Sequence, residues 1–305
     1  MTILLTGASG FLGSRIYQQL VPEHSMTTVG RTACGSRHIH CDLAAQVPDL
    51  PGSQFDLVIH AAGKANAVPR TASERADYQR VNVQGTANLL SALEKLPSPP
   101  TAFVHLSTVL VYGCSSGQAL RESTPLLATD PYGASKVEAE MLLQAWATRT
   151  GVRLAILRLP LVVAEPLNGN LATLQTAIRR GYYVRIGNGL ARRSMVRADD
   201  VAAVLTRVAN VGGTFNLTDG YHPTVRELED AIARKLGRKR PIPSVPLSLI
   251  NPMARLGDGI NAVIGRRFPI DSIALQKLTS TLTFSDERAR QQLDWRPRPV
   301  LDLLQ

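Results

Sequence analysis

The chain opens on Met1-Thr-Ile-Leu-Leu-Thr-Gly-Ala-Ser-Gly-Phe-Leu-Gly13, and no other stretch restricts its fold so tightly. Residues 2–6 are apolar or branched and uncharged, as a short buried strand requires. Gly7, Gly10 and Gly13 follow at a spacing of three, and residues 11–20 then read as a helix that Pro22 stops. Strand, glycine turn and helix in that order form the first unit of a dinucleotide-binding fold. Gly7 is expected to make the tight turn, Gly10 to let backbone approach a pyrophosphate, and Gly13 to let the helix pack closely. The free N–H groups at the helix start, around Phe11 and Leu12, would meet the phosphates with the positive end of the helix dipole.

The pattern then repeats. Strands are expected over 26–30, 37–40, 55–60, 101–107 and 152–157, with helices over 73–96 and 133–150. This alternation predicts an α/β fold, a Rossmann-type doubly wound parallel sheet. Such sheets bind ligands at the carboxyl ends of their strands, here Thr6, Gly30, Cys41-Asp42, Ala61-Ala62-Gly63, Ser107-Thr108 and Leu159-Pro160. Beyond about residue 163 the loops carry more Gly, Pro and Asn, and helices are expected over 171–180, 224–236 and 248–264, the last from an apolar stripe at helical spacing. The division expected is 1–162 plus about 191–217 for the dinucleotide, and 163–190 with 218–305 for a smaller, mixed C-terminal substrate domain.

Cys34, Cys41 and Cys114 share no metal-ligand spacing, so no metal is expected and reduced thiols in a cytoplasmic protein are the simplest reading. The N-terminus enters a strand at once, so no secretory leader is expected, and no run is long enough for a membrane span. The net charge of +10 suits an anionic partner: a dinucleotide, a sugar diphosphate, or peripheral contact with the inner face of a membrane. Arg234, Lys235, Arg238, Lys239 and Arg240 lie close together, with Arg266-Arg267 nearby. Aromatics are only 5% and no aromatic-basic stripe occurs, which argues against nucleic acid.

Tyr132-Gly-Ala-Ser-Lys136 opens the helix over 133–150 and sets Tyr132 and Lys136 on one face, four residues apart. A tyrosine has a reference pKa near 10, and bringing it to neutrality takes ~4 kcal/mol of charge stabilisation. An ammonium one turn away, with an oxidised nicotinamide, is expected to supply it.

Gly7-x-x-Gly-x-x-Gly13, His60-Ala-Ala-Gly63, Val81-Asn82-Val-Gln-Gly-Thr86, Ser107-Thr-Val-Leu-Val-Tyr-Gly113 and Tyr132-Gly-Ala-Ser-Lys136 occur in the order of the extended short-chain dehydrogenases/reductases, which the whole chain resembles. Asn168-Gly-Asn170, Arg192-Arg-Ser-Met-Val196 and Asn216-Leu-Thr-Asp-Gly220 make it most similar to bacterial 4-epimerases and 4-ketoreductases of surface-polysaccharide synthesis. These act on UDP-sugars or polyprenyl-diphosphate sugars, and the resemblance implies a homodimer.

The resemblance also implies roles. Thr108 would hydrogen-bond the oxygen at carbon 4 of the sugar, Tyr132 would exchange a proton with it, and Lys136 would hold the nicotinamide ribose and depress the pKa of Tyr132. Asn82 would brace the site near the ribose, or else simply turn a helix. Asp42, beside Leu43, would accept from adenine, while Ala61, Ala62 and Gly63, with Ser107 and Pro160, would line the cofactor. Arg193 would pair with the substrate diphosphate, and Asn170 would donate to it or cap a helix. Sugar 4,6-dehydratases carry Asp-Glu after the threonine, whereas this chain has Val109 and Leu110, which argues against water elimination. Ala164 stands where the family often has glycine. The second strand ends at Gly30-Arg31 without an acid for ribose hydroxyls, and Arg31 suits a 2′-phosphate. The expectation is therefore an NADP(H)-dependent 4-ketoreductase, with an NAD(H)-holding 4-epimerase as the alternative. A reductase of another ketone and a non-catalytic dinucleotide sensor are weaker readings.

Overall fold

A computed structural model describes residues 1–50, 52, 54–65, 69, 71–252 and 272–304. The segment 1–60 supplies β1 (Thr2–Thr6), α1 (Phe11–Leu20), β2 (Ser25–Gly30), β3 (His38–His40) and β4 (Leu57–His60). There follow α2 (Ala72–Tyr78), α3 (Gly85–Leu93), β5 (Ala102–Thr108), α4 (Pro131–Thr150) and the strand Arg153–Leu159. The last strand of the main sheet, Gly213–Asn216, comes after α5 (Gly169–Arg180) and α6 (Ala198–Val211). All seven strands are parallel, in the order Gly213–Asn216, Arg153–Leu159, β5, β4, β1, β2, β3. The chain thus moves outward from β1 to β3 and then returns to β4 on the other side. This reversal opens a crevice beyond the carboxyl ends of β1 and β4, where such sheets bind ligands.

A parallel sheet flanked by helices is buried on both faces, and alternate residues of each strand divide between them. Ile3, Leu5, Ile59, Val104 and Leu157 face Ile16 of α1 and Val201 and Leu205 of α6. Leu4, Val58 and Phe103 face Leu89 of α3 and Leu143 and Trp146 of α4. Each such side chain contributes about 1.5–3 kcal/mol through burial. A separate apolar cluster joins Leu171 and Ile178 of α5 to Leu228 and Ile232 of α7 (Val225–Lys235). Three short parallel pairs stand outside the main sheet: Leu161–Val163 with Met195–Arg197, Arg185–Ile186 with Ser244–Val245, and Gly117–Leu120 with Leu282–Phe284. Ala289, Leu293 and Trp295 return from the C-terminal stretch to the α1/α6 face of the sheet.

The helix expected over 73–96 is interrupted. Between α2 and α3 the backbone widens into a π-helical stretch, Gln79–Gln84, which carries Asn82. The extra residue per turn redirects that side chain without breaking the helical path. Of the apolar stripe expected over 248–264, the part from 253 onward lies outside the described residues, as do Arg266 and Arg267. Among the described residues no helix is long and apolar enough to cross a membrane, and no cluster of His, Cys, Asp or Glu is arranged to hold a metal ion.

Candidate active site

The glycine turn seals the crevice at the switch point. Gly7 has φ +73°, and a Cβ there would lie 2.6 Å from the backbone N of Ala62. Gly13 turns its missing side chain toward Gly7 rather than toward the sheet: a Cβ would lie 2.0 Å from the Gly7 carbonyl oxygen. The close contact expected between helix and sheet is therefore one between α1 and the turn itself. Gly10 occupies the N-cap of α1 in an extended conformation, with no side-chain cap and no acid in the first turn. The N–H groups around Phe11 and Leu12 thus stand ready for an anion, and the residues present fit a dinucleotide pyrophosphate.

Beneath this turn lies a buried hydrogen-bond chain. Thr86 donates its hydroxyl proton to the Asn82 carbonyl at 2.6 Å and so must accept from His60 Nε2 at 3.0 Å. That fixes His60 as the Nε2–H tautomer, and Thr6 donates to its Nδ1 at 2.7 Å. The Thr6 oxygen in turn accepts from Ala62 N at 3.2 Å, holding the Ala61-Ala62-Gly63 turn against β1. Burial and the nearby Lys136 ammonium push His60 down to about 3, so the ring is neutral.

Helix α4 begins where it does because Asp130 accepts from Gly133 N at 2.9 Å and Pro131 is pre-set for the first turn. That start delivers Tyr132, Ser135 and Lys136 to the ends of β4 and β5. Thr108 Oγ1 accepts from Leu110 N at 3.3 Å and lies near enough to the Tyr132 hydroxyl to favour its charged form, and the Tyr132 ring lies 5.8 Å from that of Tyr78. Burial pushes the Tyr132 hydroxyl up to about 12, with Thr108 pulling the other way. The expected depression includes the charge of an oxidised nicotinamide; in the protein alone, desolvation is the largest influence on this hydroxyl.

Lys136 is buried, and its Nζ donates to Leu106 O at 2.7 Å and lies 3.1 Å from His105 Nε2. Desolvation pulls it down to about 8, opposed by Glu140 one turn further on. An ammonium has three protons, and two are used here, so one remains for a ribose hydroxyl. His105 stacks on His60 with ring centroids 5.3 Å apart and is also held well below the usual imidazole range by burial. Its Nδ1 is buried without a hydrogen-bond partner among the described residues.

Asn82 uses its whole side chain: Oδ1 accepts from Lys64 N at 2.7 Å, and Nδ2 donates to Ser135 Oγ at 2.9 Å. It braces the turn after β4 against the start of α4, which the π-helical stretch makes possible. Ser107 donates to Glu140 at 2.5 Å, and Glu140 is paired at 2.7 Å with the buried Arg158. Sequence reasoning missed both Glu140 and Arg158; a charge inside an otherwise apolar strand was the available signal. Asp42 Oδ1 accepts from Ala44 N at 3.1 Å, and the Leu43 carbonyl accepts from Asn88 at 2.7 Å. Arg31 is exposed at the end of β2, and Pro160 follows directly on the strand Arg153–Leu159.

On the opposite side, Arg193 donates to the carbonyls of Ser280 and, at 2.9 Å, of Arg192. Arg192 itself lines a cavity of about 390 Å³ with His222, Thr281 and Thr283. A second cavity of about 200 Å³ lies between Tyr183, Ile186, Ala191, Val225 and Leu247. Asn170 is exposed in the first turn of α5, whose N-cap is Asn168; the capping role considered for Asn170 is thus overturned.

Residues 3–217 match the model of a family described as the NAD dependent epimerase/dehydratase family. The chain is 27% identical to N-acetyl-alpha-D-glucosaminyl-diphospho-ditrans,octacis-undecaprenol 4-epimerase of Escherichia coli O157:H7, over 92% of this chain and 86% of that one. It is 26% identical to GDP-6-deoxy-D-mannose reductase of Pseudomonas aeruginosa, over 83% of this chain and 84% of that one. The fold matches the solved structure of RMD from Pseudomonas aeruginosa complexed with NADPH, with a TM-score of 0.73 and 22% identity over 99% of this chain and 95% of that one.

Proposed function

Because the chain belongs to the NAD dependent epimerase/dehydratase family, and so is an extended short-chain dehydrogenase/reductase, we propose that it reduces the 4-keto group of a diphosphate-linked sugar. The observation that carries this reading is the buried Lys136 ammonium, held on the Leu106 carbonyl at the end of β5 one turn along α4 from Tyr132, with Thr108 beside the Tyr132 hydroxyl. A nicotinamide dinucleotide, seated on the glycine turn and on Lys136, would supply the hydride. Thr108 orients the sugar oxygen. Tyr132 gives its proton to that oxygen as negative charge develops there. A phenol held at about 12 keeps its proton at neutral pH, which suits a donor. Val109 and Leu110, in the 3₁₀ turn after Thr108, bring no acid or base, so loss of water has no proton carrier there. Arg193 and Asn170 would receive the diphosphate, and the exposed Arg31 favours NADP(H).

A second reading, 4-epimerisation with retained NAD, is favoured by the similarity to the undecaprenol-linked 4-epimerase. Acid release of nucleotide from the purified protein separates the two: stoichiometric NAD supports the epimerase, whereas a site that takes up added NADPH supports the reductase. Tyr132→Phe tests the chemistry common to both. It should lower kcat by about 10²–10⁴-fold while nucleotide affinity stays near wild type. A Phe variant that retains wild-type kcat would refute the assignment.

A further inference from the structure

Two stretches of the substrate side contain no acidic residue. Residues 166–198 hold six arginines, and residues 231–252 hold five lysines and arginines, with no aspartate or glutamate in either. The fold brings the two together. Arg185–Ile186 pairs in parallel with Ser244–Val245, α5 packs on α7, and Arg238 donates to the Ile178 carbonyl at 3.0 Å. The C-terminal ends of α5 and α7, with the segment that follows α7, therefore form one basic surface.

Several of its charges are accounted for internally. Arg185 is buried against Glu229 and Asp230, and Lys235 pairs with Glu165. Arg179, Arg180, Arg234, Lys239 and Arg240 are exposed, and their side chains have no hydrogen-bond or ion-pair partner among the described residues. Helix dipoles favour a cation in a last turn, which explains Arg179, Arg180 and Arg234 in part. They do not explain Lys239 and Arg240, which lie beyond the end of α7. Two large apolar side chains on the same segments are exposed, Tyr182 at 62% and Leu249 at 63%.

We propose that this surface docks on a bilayer of anionic phospholipid. Cations without counter-charges among the described residues attract the headgroups, and an exposed tyrosine and leucine on the same segments suit the interfacial layer. A single-stranded nucleic acid would instead call for aromatic side chains interleaved with the cations as stacking platforms, and one tyrosine does not provide that. The cavity between Tyr183, Ile186 and Leu247 adjoins the same segments, so docking would bring it close to the membrane surface. Such docking is independent of which reaction the site performs.

Cosedimentation with vesicles tests it. The full chain should bind phosphatidylcholine vesicles that contain phosphatidylglycerol and not those of phosphatidylcholine alone. Raising salt from about 0.05 M to about 0.3 M should weaken binding. Each neutralised cation should lower the partition coefficient about fivefold, so Arg179→Ser/Arg180→Ser/Arg240→Ser should lose about a hundredfold. A second variant, Arg234→Ser/Lys239→Ser, should lose about 25-fold, so one poorly folded variant would not decide the matter. Any of four results overturns the proposal: no sedimentation of wild type, equal binding to the uncharged vesicles, folded variants that bind like wild type, or tighter binding to a single-stranded RNA than to the vesicles.

Discussion

Acidifying this protein should destabilise it before its carboxylates titrate, because the floor of the crevice contains two histidines that are held neutral. His60 is held at about 3 in the folded protein and has the ordinary value of 6.5 when unfolded. Below pH 6.5 the unfolded chain binds a proton at this ring that the folded chain refuses, so stability falls as pH falls through this window. From about pH 7.5 to about pH 5, His60 alone accounts for ~2 kcal/mol. His105 is depressed by burial and by Lys136, and adds to the loss in the same direction. The network explains the refusal: a proton on His60 Nδ1 would confront the hydroxyl proton of Thr6. Urea unfolding followed by the fluorescence of the buried Trp146 and Trp295 at a series of pH values measures the slope. His60→Asn, which binds no proton, should lose ~2 kcal/mol of that pH dependence whatever its absolute stability. A wild-type slope that is flat between these pH values, or one unchanged in the variant, would refute the reasoning.

Three further outcomes are expected. Turnover should decline as pH rises through about 8, where Lys136 loses its proton, and Lys136→Met should weaken nucleotide binding at least tenfold and remove that limb of the profile; unchanged nucleotide affinity would exclude a ribose contact. Arg31→Ala should lower affinity for NADPH about five- to tenfold and leave NADH unaffected, a modest figure because Arg31 is exposed; titration of both cofactors decides, and a preference that survives the change removes Arg31 from the site. Gly13→Ala should cost about 1–3 kcal/mol in thermal or urea unfolding, since its Cβ would press on the Gly7 carbonyl, and a variant as stable as wild type would contradict that contact.

The fold was legible because a parallel sheet announces itself through apolar runs and glycine punctuation. Every strand of the main sheet up to Arg153–Leu159 falls where those runs lie. The pairing of Tyr132 with Lys136 was equally legible, since helical spacing alone puts them on one face. What escaped depended on distant partners. The π-helical stretch at Gln79–Gln84 keeps the apolar pattern of an α-helix, so nothing local reveals the wider turn. The contact between Lys136 and His105 joins a helix to a strand more than thirty residues earlier, and His105 sits in a strand that otherwise reads as core. The high pKa of Tyr132 comes from packing that includes Tyr78 of α2, so its sign could not be read from a lysine four residues away.

The return of Ala289, Leu293 and Trp295 to the sheet has a consequence for synthesis on the ribosome. The face formed by α1 and α6 is complete only when these residues arrive, about 80 residues after the last strand of the sheet. At ordinary elongation rates that takes roughly 4 to 16 s. Throughout that interval Leu217 and its neighbours on α6 await the indole that will cover them, and Thr218 awaits the Trp295 Nε1–H that donates to its carbonyl at 2.9 Å. The parallel sheet with its helices is therefore not a self-sufficient early product of translation. A nascent chain halted before Trp295 would present an unfinished apolar face to chaperones.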